Sequence, residues 1–261
     1  MKKLALVAAV LVCFVSIIGG KFYYDHKVGQ ISRSSEASSS ELTAGLSVND
    51  DSGMPIVKQI DKLPPSLQEA ARHANKTGGQ VQLALVGDAS VQTYASLLQA
   101  RLDATFGQSF FKVIPLSVGA ANSLQFNQLK MKKLFQAVNG KPDAVIDVPL
   151  IYNDDHQVRT DDTATVMSYF KTKVKESYPK AAFFALLPNP SPKFSYMSDR
   201  LATLASYLNK QKIHTIAPFS HLPRSTSLKT LVGSDGRNLS SKGQTYWMNA
   251  VAKDWNLKSG D

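Results

Sequence analysis

Short polar segments follow five apolar runs of strand length in this chain of 261 residues. The segments are residues 87–90, 117–120, 151–156, 188–190 and 221–238. In open α/β sheets, ligands bind beyond the carboxyl ends of the strands, so these segments together predict a ligand site. The candidate site residues that they contain are Asp88, Ser90, Gly119, Asn153, Asp235 and Asn238.

The same sequence argues against metal-dependent and disulfide-based chemistry. Its five histidines are scattered and show no H-E-x-x-H or similar metal-ligand spacing. The single cysteine, Cys13, excludes a disulfide framework and a cysteine-rich zinc module. We therefore expect neither a metal nor another cofactor.

The apolar runs alternate with segments of helical periodicity. The predicted strands cover residues 81–86, 110–116, 143–150, 181–187 and 213–217. The predicted helices lie between them and after the last, with the second spanning 124–138 and the third beginning near Asp161 and Asp162. Each strand is continuously apolar, which is typical of a parallel sheet covered by helices on both faces. Five such units predict a three-layer α/β/α domain.

The strand ends also carry a family resemblance, which covers about residues 80 to 257. The sequence Gly87-Asp88-Ala89-Ser90 resembles the Gly-Asp-Ser opening of the SGNH (GDSL-type) esterases. Gly119, and Asn153 in Tyr-Asn-Asp, fall where that family keeps an oxyanion-hole glycine and asparagine. The block from Asp235 through Asn238 to Gly243 looks like the family's Asp-x-x-His block before the last helix.

The resemblance implies a flavodoxin-like SGNH-hydrolase fold with a five-stranded parallel sheet and an ester hydrolase or acyl-transfer activity. In that mechanism Ser90 attacks the carbonyl carbon, while the backbone N–H of Gly119 and the side chain of Asn153 hold the oxyanion. Asp235 orients the base. The implied substrates are acyl or acetyl esters on small molecules, lipids or wall glycans.

Because of two departures from the family pattern, the chain resembles a degenerate member of the family. Ala89 stands directly after Gly87-Asp88, where the nucleophilic serine is expected, and Ser90 comes one position late. The histidine position of the last block is Asn238. Because an amide cannot take a proton from a serine hydroxyl, impaired catalysis is expected.

Each position also has a purely structural interpretation. Asp88 and Ser90 would cap the helix after the first strand, and Asp235-Gly236 is a turn dipeptide. Residues 153–155 read equally well as a polar loop. His156 and His221 are candidates for a substitute base or are surface residues. A non-catalytic domain that binds a surface glycan or a protein partner therefore stays open as the alternative.

The N-terminus predicts a membrane segment. Lys2 and Lys3 precede an apolar run from Leu4 to Ile18 without a charge and without a good cleavage site. We interpret residues 1–22 as an anchor or signal peptide, 23–62 as a Ser-rich stalk and 63–261 as the α/β domain. The positive-inside rule then places the domain outside a single-pass membrane anchor.

The net charge of +10 favours anionic partners. The basic residues are dispersed, and no patch interleaved with aromatic residues is visible, so nucleic acid is not expected. Since the stalk has no apolar face, a monomer is expected.

Overall fold

The computed structural model describes residues 56–222 and 227–258. The predicted anchor at residues 1–22 and most of the predicted stalk lie outside these ranges. Within them, no helix is both long enough and apolar enough to cross a membrane.

Five parallel strands form the central sheet, as predicted, in the spatial order β2-β1-β3-β4-β5. The strands are β1 (Val81–Gly87), β2 (Phe111–Ser117), β3 (Ala144–Asp147), β4 (Ala182–Leu186) and β5 (His214–Ile216). This is the flavodoxin-like order, whose switch point lies between β1 and β3. The connections after these two strands therefore run to opposite faces of the sheet and leave a crevice between them.

Helices cover both faces of the sheet and confirm the three-layer expectation. In chain order they are α1 (Ile56–Ile60), α2 (Pro65–Thr77), α3 (Val91–Phe106), α4 (Ser123–Asn127), α5 (Met131–Leu134), α6 (Thr160–Ser177), α7 (Tyr196–Lys210), α8 (Leu228–Leu231) and α9 (Ser241–Asp254). One hydrophobic cluster joins the sheet to α1, α2, α3 and α9, and the other joins it to α4, α6 and α7. All residues of both clusters lie within the described ranges.

The domain begins earlier than the predicted boundary at residue 63. Helix α1 lies inside the predicted stalk, and Ile60 is 1 % exposed within the first cluster. The described residues from Ile56 onward all belong to one compact unit. Burial of Ile60 removes apolar surface from water, so the residues around it belong to the domain rather than to the tether.

The predicted second helix is wrong as a single element. The structure has two short helices, α4 and α5, separated by Lys130 in an extended conformation (φ −75°, ψ 129°). The Lys173 ammonium donates to the backbone oxygen of Asn127 at 2.7 Å and satisfies a carbonyl at the end of α4. The break lets Phe126 and Phe135 both pack against Phe170.

Candidate active site

Asp88 and Ser90 lie in the turn between β1 and α3. The Ser90 hydroxyl donates to Asp88 Oδ1 at 2.6 Å, and the Ser90 backbone N–H donates to the same oxygen at 2.9 Å. The Ser90 side chain makes no capping hydrogen bond to the helix. Asp88 thus stabilises the start of α3, whereas the hydroxyl of Ser90 faces the crevice and is held by a carboxylate.

Gly119 and Asn153 meet after β2 and β3, as their sequence positions predicted. Gly119 has φ +63°, in the left-handed region that favours glycine. The Asn153 side-chain N–H₂ donates to the backbone oxygens of Gly119 and Ala121, both at 3.0 Å. The Gly119 N–H donates to Ser117 Oγ at 3.2 Å. Both expected oxyanion donors are therefore paired with protein acceptors.

Asp235 and Asn238 form a local pair before α9. The Asn238 side-chain N–H₂ donates to Asp235 Oδ2, and Asp235 Oδ1 accepts the backbone N–H groups of Arg237 at 3.0 Å and Asn238 at 3.1 Å. These hydrogen bonds lower the pKa of Asp235, and the bond from the Arg237 N–H has the largest effect. The ionised carboxylate thus holds an amide N–H, but an amide nitrogen cannot accept a proton.

The loop that carries this pair is fixed by its own backbone. Val232 and Leu239 form an antiparallel bridge, and Gly236 has φ +75° in the turn that Asp235-Gly236 predicted. Ser240 then caps α9 by accepting the Gly243 N–H at 3.1 Å. The side chains of Asp235 and Asn238 consequently face each other at the tip of the loop.

Arg237 lies at the centre of the site, and the sequence patterns did not single it out. Its Nη2 donates to Asp88 Oδ2 at 3.2 Å and to Asn153 Oδ1 at 3.0 Å. Its guanidinium carbon lies 5.0 Å from the centre of the Tyr152 ring, a cation–π contact. The only feature of the sequence that could have marked Arg237 as a site residue is its position inside the Asp235–Asn238 block. The side chain links the loops after β1 and β3.

A buried polar wall supports the cleft from β4. Asn189 is 1 % exposed; its Oδ1 accepts the Tyr94 hydroxyl at 3.2 Å, and its backbone oxygen accepts the Tyr152 hydroxyl at 2.7 Å. Its side-chain N–H₂ donates to the Arg237 backbone oxygen at 3.1 Å. Burial raises the pKa of both tyrosines, so each stays a neutral phenol.

These residues line one open cavity of about 400 Å³ at the switch point of the sheet. All six sequence-predicted site residues contribute to it except Asp235, which reaches it through Asn238. The volume suits a small ester or one end of a larger molecule.

Solved structures of lipases and esterases share this architecture. A lipase/acylhydrolase from Enterococcus faecalis is 13 % identical, with 70 % of this chain and 100 % of that chain covered and a TM-score of 0.53. A carbohydrate esterase family 3 protein from Talaromyces cellulolyticus is 11 % identical over 67 % and 96 % of the two chains, with a TM-score of 0.55. An acetylxylan esterase from Geobacillus stearothermophilus is 12 % identical over 70 % and 98 %, with a TM-score of 0.52.

This domain has the SGNH-hydrolase fold. At these identities the likeness shows the fold and leaves the chemistry to the residues of the site. No protein-family model and no curated protein matches the sequence.

Neither histidine proposed as a substitute base lines the cleft of this SGNH-fold domain. The His156 side chain is 84 % exposed, and its Nε2 lies 3.7 Å from Asp155 Oδ2. His221 lines a different cavity, beside Tyr246. In the described part of the chain, no group of three or more His, Cys, Asp or Glu side chains is placed to hold a metal ion.

Asp154, beside Asn153, anchors the loop after β3. It is 0 % exposed; its Oδ1 accepts the Ser123 N–H at 2.7 Å, and its Oδ2 accepts the hydroxyls of Ser123 and Thr163, each at 2.6 Å. From the sequence, Asp154 was interpreted as part of a polar loop. Its role is to join the loop after β3 to α4 and α6, which fixes where Asn153 projects.

Proposed function

We propose that this domain is a slow ester hydrolase that acts on acyl or acetyl esters at the cell surface. One observation carries the proposal: Asp235 holds the Asn238 amide in the cleft that Ser90 lines, where an imidazole would complete a triad. In this proposal Ser90, one position late in the motif, serves as the nucleophile and Asp235 as the orienting carboxylate, and no side chain supplies the imidazole.

The chemistry follows from these contacts. Ser90 Oγ attacks the ester carbonyl carbon as its proton passes to the Asp88 carboxylate, and the alcohol leaves the tetrahedral intermediate with that proton. Water then hydrolyses the acyl ester on Ser90, which releases the acid and restores the hydroxyl. In place of an imidazole, the Ser90 hydroxyl contacts the Asp88 carboxylate, and a carboxylate is a much weaker base. The N–H groups of Gly119 and Asn153 must first leave their protein acceptors before they can hold the oxyanion. Both features slow turnover.

The cell-surface location and the substrate class rest on the sequence. The apolar run at residues 4–18 supports export on an anchor. A domain held at the membrane would meet esters of lipids and wall glycans first, and these are the substrates that we propose.

A non-catalytic binding domain is the second candidate. It is favoured by the paired donors of Asn153 and by Arg237, which lies against Asp88 and Asn153 and occupies the middle of the cleft. Such a domain would bind an ester-bearing glycan or a protein partner without turnover.

Asn238→His separates the two candidates. The new imidazole would be held by Asp235 and could take the Ser90 proton, so we expect hydrolysis of p-nitrophenyl acetate to rise by roughly 100-fold or more. The rate should also rise between about pH 5.5 and 7.5 as the imidazole loses its proton. Asn238→Gln, which keeps an amide, is the matched control.

Ser90→Ala in the Asn238→His background should abolish the gain. If Asn238→His is no faster than Asn238→Gln, Ser90 is not an effective nucleophile and the binding function is favoured instead.

A further inference from the structure

One side of the domain combines lysines with exposed apolar side chains. From residue 104 to residue 142 the chain has five lysines and no acidic residue. This stretch forms β2, at the edge of the sheet, together with α4 and α5. We call the surface formed by Leu124, Leu129, Lys130, Lys132 and Lys133 the α4–α5 surface.

The apolar members of this surface are unusually exposed. Leu124 is 50 % and Leu129 is 36 % exposed. Tyr169, at 57 %, lies one helical turn before Lys173, which donates to Asn127 at the end of α4. Within the described residues, six large hydrophobic side chains are exposed, and these are three of them. Exposed apolar groups that cluster in this way indicate an interaction site.

The lysines of the surface have no protein counter-charge. Lys130, Lys132 and Lys133 are exposed, and in the described part of the chain none of their ammonium groups forms an ion pair or a hydrogen bond. Unpaired ammonium groups next to exposed leucines suit a partner that is both anionic and apolar.

A cavity opens within the same surface. It has a volume of about 460 Å³, and its walls include Lys133, Leu129, Leu134 and Pro115. Ser117 and Gln136 also line this cavity, and its other walls are apolar. A charged amine at the wall of a mostly apolar cavity fits a phosphate group joined to a hydrocarbon chain. Ser117 and Val118 line this cavity, and the next two residues line the Ser90 cleft.

We propose that the α4–α5 surface lies against an anionic phospholipid bilayer. Lys130, Lys132 and Lys133 contact the lipid phosphates, while Leu124 and Leu129 enter the boundary between headgroups and acyl chains. This contact brings the Ser90 cleft to the lipid surface. It does not depend on ester hydrolysis, and it differs from an anchor at residues 1–22.

Vesicle binding tests the proposal with residues 53–261, which contain both hydrophobic clusters and omit the apolar N-terminal run. We expect binding to vesicles of phosphatidylcholine with phosphatidylglycerol and little binding to phosphatidylcholine alone. Lys130→Gln, Lys132→Gln and Lys133→Gln together should lower the partition coefficient roughly 100-fold. Lys76→Gln, Lys242→Gln and Lys253→Gln, a matched set on α2 and α9 of the opposite layer, should change it far less.

The apolar contribution has its own test. Leu124→Ser with Leu129→Ser should weaken the vesicle binding that persists at high salt, because apolar contacts are not screened. If the two lysine sets weaken binding equally, net charge alone is responsible and the surface assignment fails. If the leucine changes have no effect and soluble polyphosphate competes fully, the partner is a polyanion and not a bilayer.

The full chain provides an independent measurement should the fragment not fold. Cys13→Ser with Leu129→Cys allows one environment-sensitive dye to be attached at position 129, and Thr203→Cys on α7 gives the matched control. In phosphatidylglycerol nanodiscs the dye at 129 should shift to the blue, whereas the dye at 203 should not. Equal spectra at the two positions would overturn the proposal.

Discussion

At the scale of single residues, the neighbouring acids Asp154 and Asp155 differ in how deeply they are buried and in how many hydrogen bonds they accept. Asp154 is 0 % exposed and accepts three hydrogen bonds, whereas the Asp155 side chain is 20 % exposed and bonds Tyr196 and Arg200 near the surface. We expect Asp154→Ala to lower the free energy of unfolding by about 3 kcal/mol, since the Ser123 N–H and hydroxyl lose their buried acceptor and the Thr163 hydroxyl keeps only the Arg159 backbone oxygen. Urea denaturation measures this.

Asp155→Ala is the matched control for that prediction. It removes a carboxylate that is 20 % exposed and that pairs with Arg200, so we expect a smaller loss than for the fully buried Asp154. Equal losses for the two variants would mean that the Asp154 network adds nothing beyond the contribution of the Asp155–Arg200 pair.

Arg237 shows what residue-level patterns miss. The motif around Asp235 and Asn238 was readable because both side chains act on a neighbour three positions away. Arg237 acts on Asp88 and Asn153, 149 and 84 residues away in the chain. No local spacing encodes such contacts, because they exist only after the loops at the strand ends have converged.

At the scale of secondary-structure elements, Gly243 fixes how closely α9 packs on α8. A Cβ atom at Gly243 would lie 1.8 Å from the Leu231 backbone oxygen. Alanine favours helices over glycine by about 1 kcal/mol, so propensity alone predicts that Gly243→Ala stabilises the domain. We expect the reverse, a loss of about 2 kcal/mol or more, because the backbone of α8 must move away.

Guanidinium denaturation checks the sign of the Gly243→Ala effect. Ser241→Ala, at an exposed position two residues earlier, should change the free energy of unfolding by less than about 0.5 kcal/mol. If Gly243→Ala raised the free energy of unfolding, the α8 backbone would be able to move away without destabilising the domain.

The elements themselves were predictable to different degrees. All five strands were identified because buried parallel strands are continuous apolar runs. Helix α2 was missed, although Leu67, Ala71 and Ala74 recur at helical spacing behind Pro65. The break between α4 and α5 was not readable, since it depends on Phe126 and Phe135 both reaching Phe170 on another helix.

At the scale of the whole molecule, Asp147 makes stability depend on pH. It ends β3 at 3 % exposure, its Oδ2 has no hydrogen-bond partner, and burial raises its pKa to about 8. In the unfolded chain a carboxyl group titrates near pH 3.9. The folded state therefore binds this proton more tightly, and the stability it contributes is full below about pH 4 and is lost as the pH rises towards 8.

Asp147→Asn isolates this contribution. In that interval the wild type should lose about 1.4 kcal/mol of unfolding free energy per pH unit relative to Asp147→Asn, because the amide does not titrate. Urea denaturation of the wild type and of Asp147→Asn at pH 5 and pH 7.5 gives the difference in unfolding free energy between them. The contributions of the other titrating groups are the same in both proteins and cancel. Parallel pH profiles would mean that the carboxyl group is charged, and therefore solvated, in the folded domain.

The sequence by itself determined the fold class and the content of the cleft. Continuous apolar runs predicted the strands. The polar residues directly after them lie at one edge of the sheet, because the carboxyl ends of parallel strands all lie there. Asp88, Ser90, Gly119, Asn153 and Asn238 were therefore identifiable before any coordinates. The expectation of a missing base also came from the sequence, since the resemblance to the SGNH esterases implies a histidine where this chain has Asn238.

Only the tertiary structure decided how these groups are paired. It joins the Ser90 hydroxyl to Asp88, engages the N–H groups of Asn153 with backbone oxygens, and places Arg237 between the loops. Hydrogen bonds within a site depend on distances of a few tenths of an ångström between segments that are far apart in the chain. Residue order fixes which groups arrive at the edge of the sheet, and the packing of the loops fixes which of them touch.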